Sequence, residues 1–246
     1  MDKTLNVIYF IVYLILNPKL LPYALKGLYL PVFVQYRWLR EYKIDAIIDV
    51  GAAVGNVSLA VGALFPNAKI FAFDPIEENC KELKKRDCHH RIIVEEVVIS
   101  DNKGEVEFFI NSYLPASSLL QFEDEFRNIF PVSDKIKVKT VTLDSYFSKV
   151  PLGKKIFLKI DTQGSELAVL QGAEKLLEKV SIVHIETNLS DYYLGQHLFG
   201  DIYDFLVELG FEYRGSIPDG QFFPKFNLNL QENSIFIKRN HAKAKS

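Results

Sequence analysis

The stretch Ile47-Ile48-Asp49-Val50-Gly51-Ala52-Ala53-Val54-Gly55-Asn56 permits very few local folds. An apolar run that begins at Ala46 ends in an acid, and two glycines follow, four residues apart. A helical pattern then continues through Leu59, Val61 and Leu64. The physical reading is a buried strand, a tight turn and a helix whose N-terminus opens toward a ligand. Gly51 lets the backbone approach that ligand, and Gly55 lets helix and strand pack closely. A second strand, Lys69 to Phe73, ends in Asp74, about 20 residues on, where a nucleoside-binding fold sets an acid against the ribose hydroxyls. Gly51-x-x-x-Gly55 is not the G-x-G-x-x-G of dinucleotide sites, and Asp49 would repel a pyrophosphate. Both points disfavour a nicotinamide dehydrogenase.

Length and charge narrow the classes further. With 246 residues, 48% of them hydrophobic, the chain is too apolar to be disordered and about the size of one α/β domain. A formal charge of −2 gives no sign of a nucleic-acid partner. Cys80 and Cys88 lie beside His89 and His90 but form no C-x-x-C pair, so we expect no metal site and a reducing, cytoplasmic setting. Leu5 to Leu16 and Leu20 to Val34 are apolar runs broken by Asn17-Pro18-Lys19. Each is shorter than the roughly 20 residues of a spanning helix, and no small-residue cleavage site follows. Residues 1–42 therefore read as a helical segment packed on the core or, alternatively, making peripheral membrane contact through residues 5–34. The main domain covers 43–240, and 241–246 form a basic tail.

From Ala46 onward strand and helix signals alternate, which predicts a doubly covered open α/β sheet, mostly parallel. Strands are expected at 46–50, 69–73, 92–99, 155–160 and 182–185, with helices near 55–64, 76–86, 165–177 and 201–209. Two period-two segments, 105–110 and 135–141, interrupt the rhythm and predict an inserted β-hairpin after strand three. Segments 211–214 and 234–238 predict an antiparallel C-terminal edge, and 217–231 has loop character.

Ligands of such sheets bind outside the carboxyl ends of the strands. The residues there are Asp49, Asp74, Ser100-Asp101, Asp161 and Glu186, a row of acids that are rarely buried without partners. Asp49-Val50-Gly51-Ala52-x-x-Gly55-x-x-Ser58-Leu59 resembles the first motif of S-adenosylmethionine-dependent methyltransferases, specifically the FkbM type. Leu158-Lys159-Ile160-Asp161-Thr162-Gln163-Gly164-Ser165-Glu166, with Val169-Leu170-Gln171-Gly172-Ala173, resembles that family's central signature. Ser100-Asp101-Asn102-Lys103-Gly104-Glu105-Val106 and Val141-Thr142-Leu143-Asp144 are similar to two further family segments. The family commonly carries Glu where this chain has Gln163.

The resemblance implies a class I, Rossmann-like methyltransferase with S-adenosyl-L-methionine as cofactor. Asp49 and the Gly51 backbone would hold the cofactor's amino-acid end, and Ala52, Gly55 and Asn56 are implied cofactor-binding residues beside them. Asp74 and Pro75 would sit at the ribose, with Asp74 able to accept two hydroxyl bonds, and Ser100 or Asp101 would contact adenine. A positively charged sulfonium suits an acid-lined rim. The implied acceptor is a hydroxyl on a carbohydrate or other secondary metabolite, a small molecule or glycan. Its proton needs a base within hydrogen-bond reach, for which Asp161 and Glu186 are the candidates. Alternatives are a nitrogen or lipid-linked glycan acceptor at a membrane, or a binding protein without catalysis. His184 is expected to be a satisfied core histidine, His197 a loop residue within reach of the pocket, and Glu166 a first-turn residue at a helix N-terminus. Lys159 should share a face with Asp161. Tyr192, Tyr193 and Phe199, with Phe222 and Phe223, offer aromatic faces for an acceptor or for packing.

Overall fold

Apolar runs separated by helices can bury both faces only in a sheet covered on each side. The computed structural model, which describes residues 11–25, 27–217, 222–223 and 228–239, has that arrangement. In chain order its strands are β1 (Ala46–Val50), β2 (Lys69–Asp74), β3 (Ile92–Glu96), β4 (Val98–Ile99), β5 (Gly104–Asn111), β6 (Val132–Val141), β7 (Ile156–Ile160), β8 (Val180–Asn188), β9 (Phe211–Ile217), β10 (Phe222–Phe223), β11 (Leu228–Asn229) and β12 (Gln231–Lys238). Seven of them form the main sheet in the order β3-β2-β1-β7-β8-β12-β9. β12 runs antiparallel between β8 and β9, so the antiparallel strand lies one place in from the edge. The order reverses between β1 and β7, and this switch point fixes where a ligand can enter.

Alternation along the strands sorts the two faces. Ile48, Val50, Leu158, Ile160, Val183 and Ile185 pack under the helices α3 (Glu166–Gln171) and α4 (Phe199–Glu208). Ile47, Ile70, Phe157 and Ile182 face the other way, toward Val61, Tyr36 and Leu39. Val61 lies on the helix α1 (Asn56–Leu64). The N-terminal segment is helical at 11–16 and again at Leu21–Leu25 and Leu30–Gln35. It buries Leu20, Leu28 and Phe33 against Leu59 and Leu83, the latter on the helix α2 (Glu77–Arg86). No helix among the described residues is long and apolar enough to cross a membrane.

Several boundaries differ from the sequence reading. The expected strand 92–99 breaks at Val97, and β4 leaves the main sheet to pair with β6. The insert is therefore more than a hairpin: β4, β6 and β5 make a separate three-stranded sheet. Cross-strand charges support its register, with Glu105 opposite Lys139 and Glu107 opposite Lys137. The helix expected over 165–177 is interrupted after Gln171, and there Gly172 lies so close to Ser100 that a Cβ would overlap the Ser100 carbonyl. Strand five runs on to Asn188, so Glu186 sits within β8, opposite Asn233 of β12. Residues 5–10, most of the stretch 218–227 and the basic tail lie outside the described residues.

Candidate active site

At the switch point the ends of β1 and β7 nearly touch. Gly51 adopts φ +72°, and any Cβ on it would overlap the Asp161 carbonyl. Gly51 also lines the cavity, but its lack of a side chain is required first by this backbone contact. Gly55, at φ +80°, gives the same kind of room to the Leu83 side chain. A cavity of about 500 Å3 opens here, a size suited to a small-molecule ligand.

Asp74 stands on the cavity wall and is 6% exposed. Its Oδ2 accepts from the Ala53 N–H at 2.8 Å, and its Oδ1 accepts from the Ile76 N–H and the Asn79 amide at 3.0 Å each. Burial raises its pKa against the pull of these three donors. A carboxylate offers about four acceptor positions, so about one remains for a ligand hydroxyl rather than the two expected. Cys80 lies behind it, its thiol donating to the Asp74 carbonyl and pushed up to about 12 by burial and by the Asp74 charge.

Asp161 and Glu186 also line the cavity. The Gln163 side-chain amide donates to Asp161 Oδ1 and to Glu186 Oε2, at 2.7 Å to each. The Tyr193 hydroxyl donates to Gln163 Oε1 at 3.1 Å, and the Gln231 amide donates to Glu186 Oε1 at 3.0 Å. Gln163 holds this pose from a left-handed backbone, φ +59°. The insert closes the far side. Ser118 Oγ donates to the Gln163 carbonyl, the Tyr193 hydroxyl also reaches the Ala116 carbonyl, and Phe122 stacks on Tyr193 at 4.4 Å.

Asn56 and Pro75 line the cavity as well. Asp49, Ala52, Gly55, Ser100 and Asp101 do not. Alternation turns Asp49 beneath α1, fully buried, where it accepts from Ser58 Oγ at 2.6 Å and lies 3.4 Å from Lys159 Nζ. Asp49 thus faces Ser58 and Lys159 and not the cavity. Lys159 is also 3.4 Å from Asp161 and donates to the Gly51 carbonyl at 2.8 Å. Burial opposes its charge, but Asp161 and Asp49 outweigh that and hold its pKa above the usual range. Ser100 and Asp101 follow β4 out of the main sheet, and Val97, Val98 and Ile99 take their place along the cavity.

His184 is buried and shares a 3.0 Å hydrogen bond through Nδ1 with the Tyr36 hydroxyl. Burial, helped by Lys159, lowers it to about 3. His197 lies away from the cavity beside Asp201. Glu166 is buried and accepts from the Thr162 and Gly164 N–H groups, with its pKa raised by that burial. Tyr192 and Tyr193 line the cavity, while Phe199 packs against Tyr203 and Tyr213. The sequence reading missed Asn79, Gln231 and the linking part of Gln163. Position 163 was marked by its place two residues after Asp161, whereas nothing near Gln231 announced that β12 would bring it beside Glu186. Among the described residues no group of three His, Cys, Asp or Glu could hold a metal ion.

The sheet order with β12 reversed is that of the class I methyltransferases, and solved structures show the same fold. The methyltransferase FkbM of Methylobacillus flagellatus KT is 14% identical with a TM-score of 0.50, covering 79% of this chain and 43% of that one. This chain thus spans less than half of that protein's length. The magnesium protoporphyrin IX methyltransferase of Synechocystis PCC 6803, solved with S-adenosylmethionine bound, is 11% identical with a TM-score of 0.47, covering 85% of this chain and 78% of that one. No curated protein matches. The model of the methyltransferase FkbM domain matches residues 49–213, well over half of the chain. The chain belongs to the FkbM methyltransferase family.

Proposed function

We propose that this methyltransferase methylates a hydroxyl oxygen on a carbohydrate or other secondary metabolite. The observation that carries the reading is the pair of cavity-lining carboxylates, Asp161 and Glu186, held by one amide at the switch point. An alcohol is a poor nucleophile until its proton is taken, and a carboxylate within hydrogen-bond reach can take it.

The residues fit the cofactor. Asp74 keeps an acceptor position for a ribose hydroxyl, and Ile76, Val97 and Val98 offer apolar walls for a purine. S-adenosylmethionine supplies an electrophilic methyl group on a sulfonium. The chain's task is then to align an acceptor oxygen with that methyl and to receive a proton. Asp161, beside Gly51 and 3.4 Å from Lys159, suits the charged amino-acid end. Glu186 accepts from the neutral amides of Gln163 and Gln231 and suits proton removal. Tyr113, Phe122 and Tyr193 also line this cavity, and aromatic side chains suit the C–H faces of a sugar ring.

Turnover of a panel of glycans and hydroxylated metabolites tests the acceptor. Glu186→Gln should keep S-adenosylhomocysteine affinity and lose about 100-fold or more in kcat. Asp161→Asn should weaken cofactor binding as well as turnover. Full activity in Glu186→Gln would remove it as the base.

A further inference from the structure

Among the described residues, seven of the fifteen large hydrophobic side chains that stand exposed lie within residues 11–29, and the eight others are scattered over the rest of the described chain. The helix at 11–16 explains why. Tyr13 and Leu14 turn inward and pack on the core, with the Tyr13 ring 6.1 Å from Phe33. Ile11, Val12, Ile15 and Leu16 occupy the opposite side as one stripe and are 48–73% exposed. A surface helix of a soluble domain ordinarily turns polar residues outward. Leu21 and Leu25 continue the apolar surface along the next helix, at 49% and 77%.

Charge names the partner. Residues 3–40 contain Lys3, Lys19, Lys26, Arg37 and Arg40 and no Asp or Glu, in a chain whose net charge is −2. Lys19, Arg37 and Arg40 are exposed, and the Arg37 guanidinium lies over the ring of Tyr13, on the same helix as the stripe. An apolar stripe flanked by cations and free of carboxylates matches the boundary of an anionic bilayer, where acyl chains take the stripe and headgroups take the basic side chains. We propose that residues 11–29 seat the enzyme on an anionic membrane surface, lying in the interface and not crossing it. Arg86 ties this segment to the active site, donating to the Gly27 carbonyl, to the Val54 carbonyl and to Asn56 Oδ1 at 2.8 Å. Val54 and Asn56 line the cavity, so the membrane would lie on the side of the molecule that flanks it.

Flotation of the purified full chain with phosphatidylcholine vesicles, with and without about 30% phosphatidylglycerol, tests this. Binding should need the anionic lipid and weaken with salt. The exposed double substitution Ile15→Asp with Leu16→Asp should lower the bound fraction about tenfold or more while leaving S-adenosylhomocysteine affinity unchanged. No binding to anionic vesicles, or binding unaffected by the double substitution, overturns the proposal. So does a concentration-dependent dimer that the substitution abolishes, since a second copy would then cover the stripe. None of these readouts depends on the acceptor, so failure here leaves the methyltransferase reading intact.

Discussion

Asp161 Oδ1 and Glu186 Oε2 receive hydrogen bonds from the same nitrogen, the side-chain amide of Gln163, at 2.7 Å each. Two carboxylates that share one neutral donor are held at fixed separation without a cation between them. Both acids line the cavity, where a substrate hydroxyl or the charged end of the cofactor would approach.

Gln163→Leu keeps the volume and deletes the donor. The acids then lose their common restraint, and kcat should fall about tenfold or more while S-adenosylhomocysteine affinity stays within about twofold. Single-turnover kinetics beside calorimetry separates the two effects. Unchanged turnover would show that the amide only fills space.

Asp74 should dominate the cofactor's ribose contact. Asp74→Ala removes that acceptor and releases the Ala53 and Ile76 N–H groups that shape the loop. Affinity for S-adenosylhomocysteine should fall about tenfold or more. An unchanged calorimetric constant would mean that the ribose is held elsewhere.

Lys159→Met leaves Asp49 fully buried without its cation. Breaking one side of a buried pair costs about 3–5 kcal/mol. Adding Asn at position 49 should recover much of that loss, because the stranded charge is gone. Urea unfolding of the two single variants and the double variant gives the coupling directly, and additive losses would contradict the pairing.

His184 should make the fold acid-sensitive. Its imidazole is held near 3 in the folded protein but titrates near 6.5 when the chain is unfolded. The unfolded state therefore takes up the proton first, so the stability that His184 supports is complete above about 6.5 and drains away as pH falls toward 3. Urea midpoints measured on each side of 6.5 should diverge in the native chain and less so in His184→Gln. Equal slopes in both proteins would assign the acid loss to other groups.

The sheet was legible because it is written in local chemistry. Runs such as Ile156–Ile160, apolar except for Lys159 and buried along their whole length, read as interior strands. Glycines stood where backbones crowd, as at Gly51 beside Asp161. The acids were legible as residues but not always as site members. Asp49 and Val50 are neighbours in sequence, yet the pleat sends Val50 toward the cavity and Asp49 under α1 to Ser58 and Lys159. Predicting that requires the register of β1 against β7, which no local pattern carries. Ser100 and Asp101 stand off the cavity wall for a related reason, since a strand that ends its pairing at Glu96 cannot be told from one that continues to Ile99. Gln231 is the extreme case, 45 residues from Glu186 in sequence and bonded to it only through the antiparallel pairing of β12.

The far wall of the cavity comes from one continuous piece of chain between β4 and β7, whereas the floor comes from strands of the main sheet. Phe122, Tyr113 and Leu119 can therefore change without disturbing Asp74 or the Gly51 turn. A wall built in this way is separate in sequence from the residues that hold Asp74 and the Gly51 turn. Its ties to the acid pair run through few contacts, Ser118 to the Gln163 carbonyl and Phe122 to Tyr193, so one segment both walls the cavity and braces the residue that joins Asp161 to Glu186.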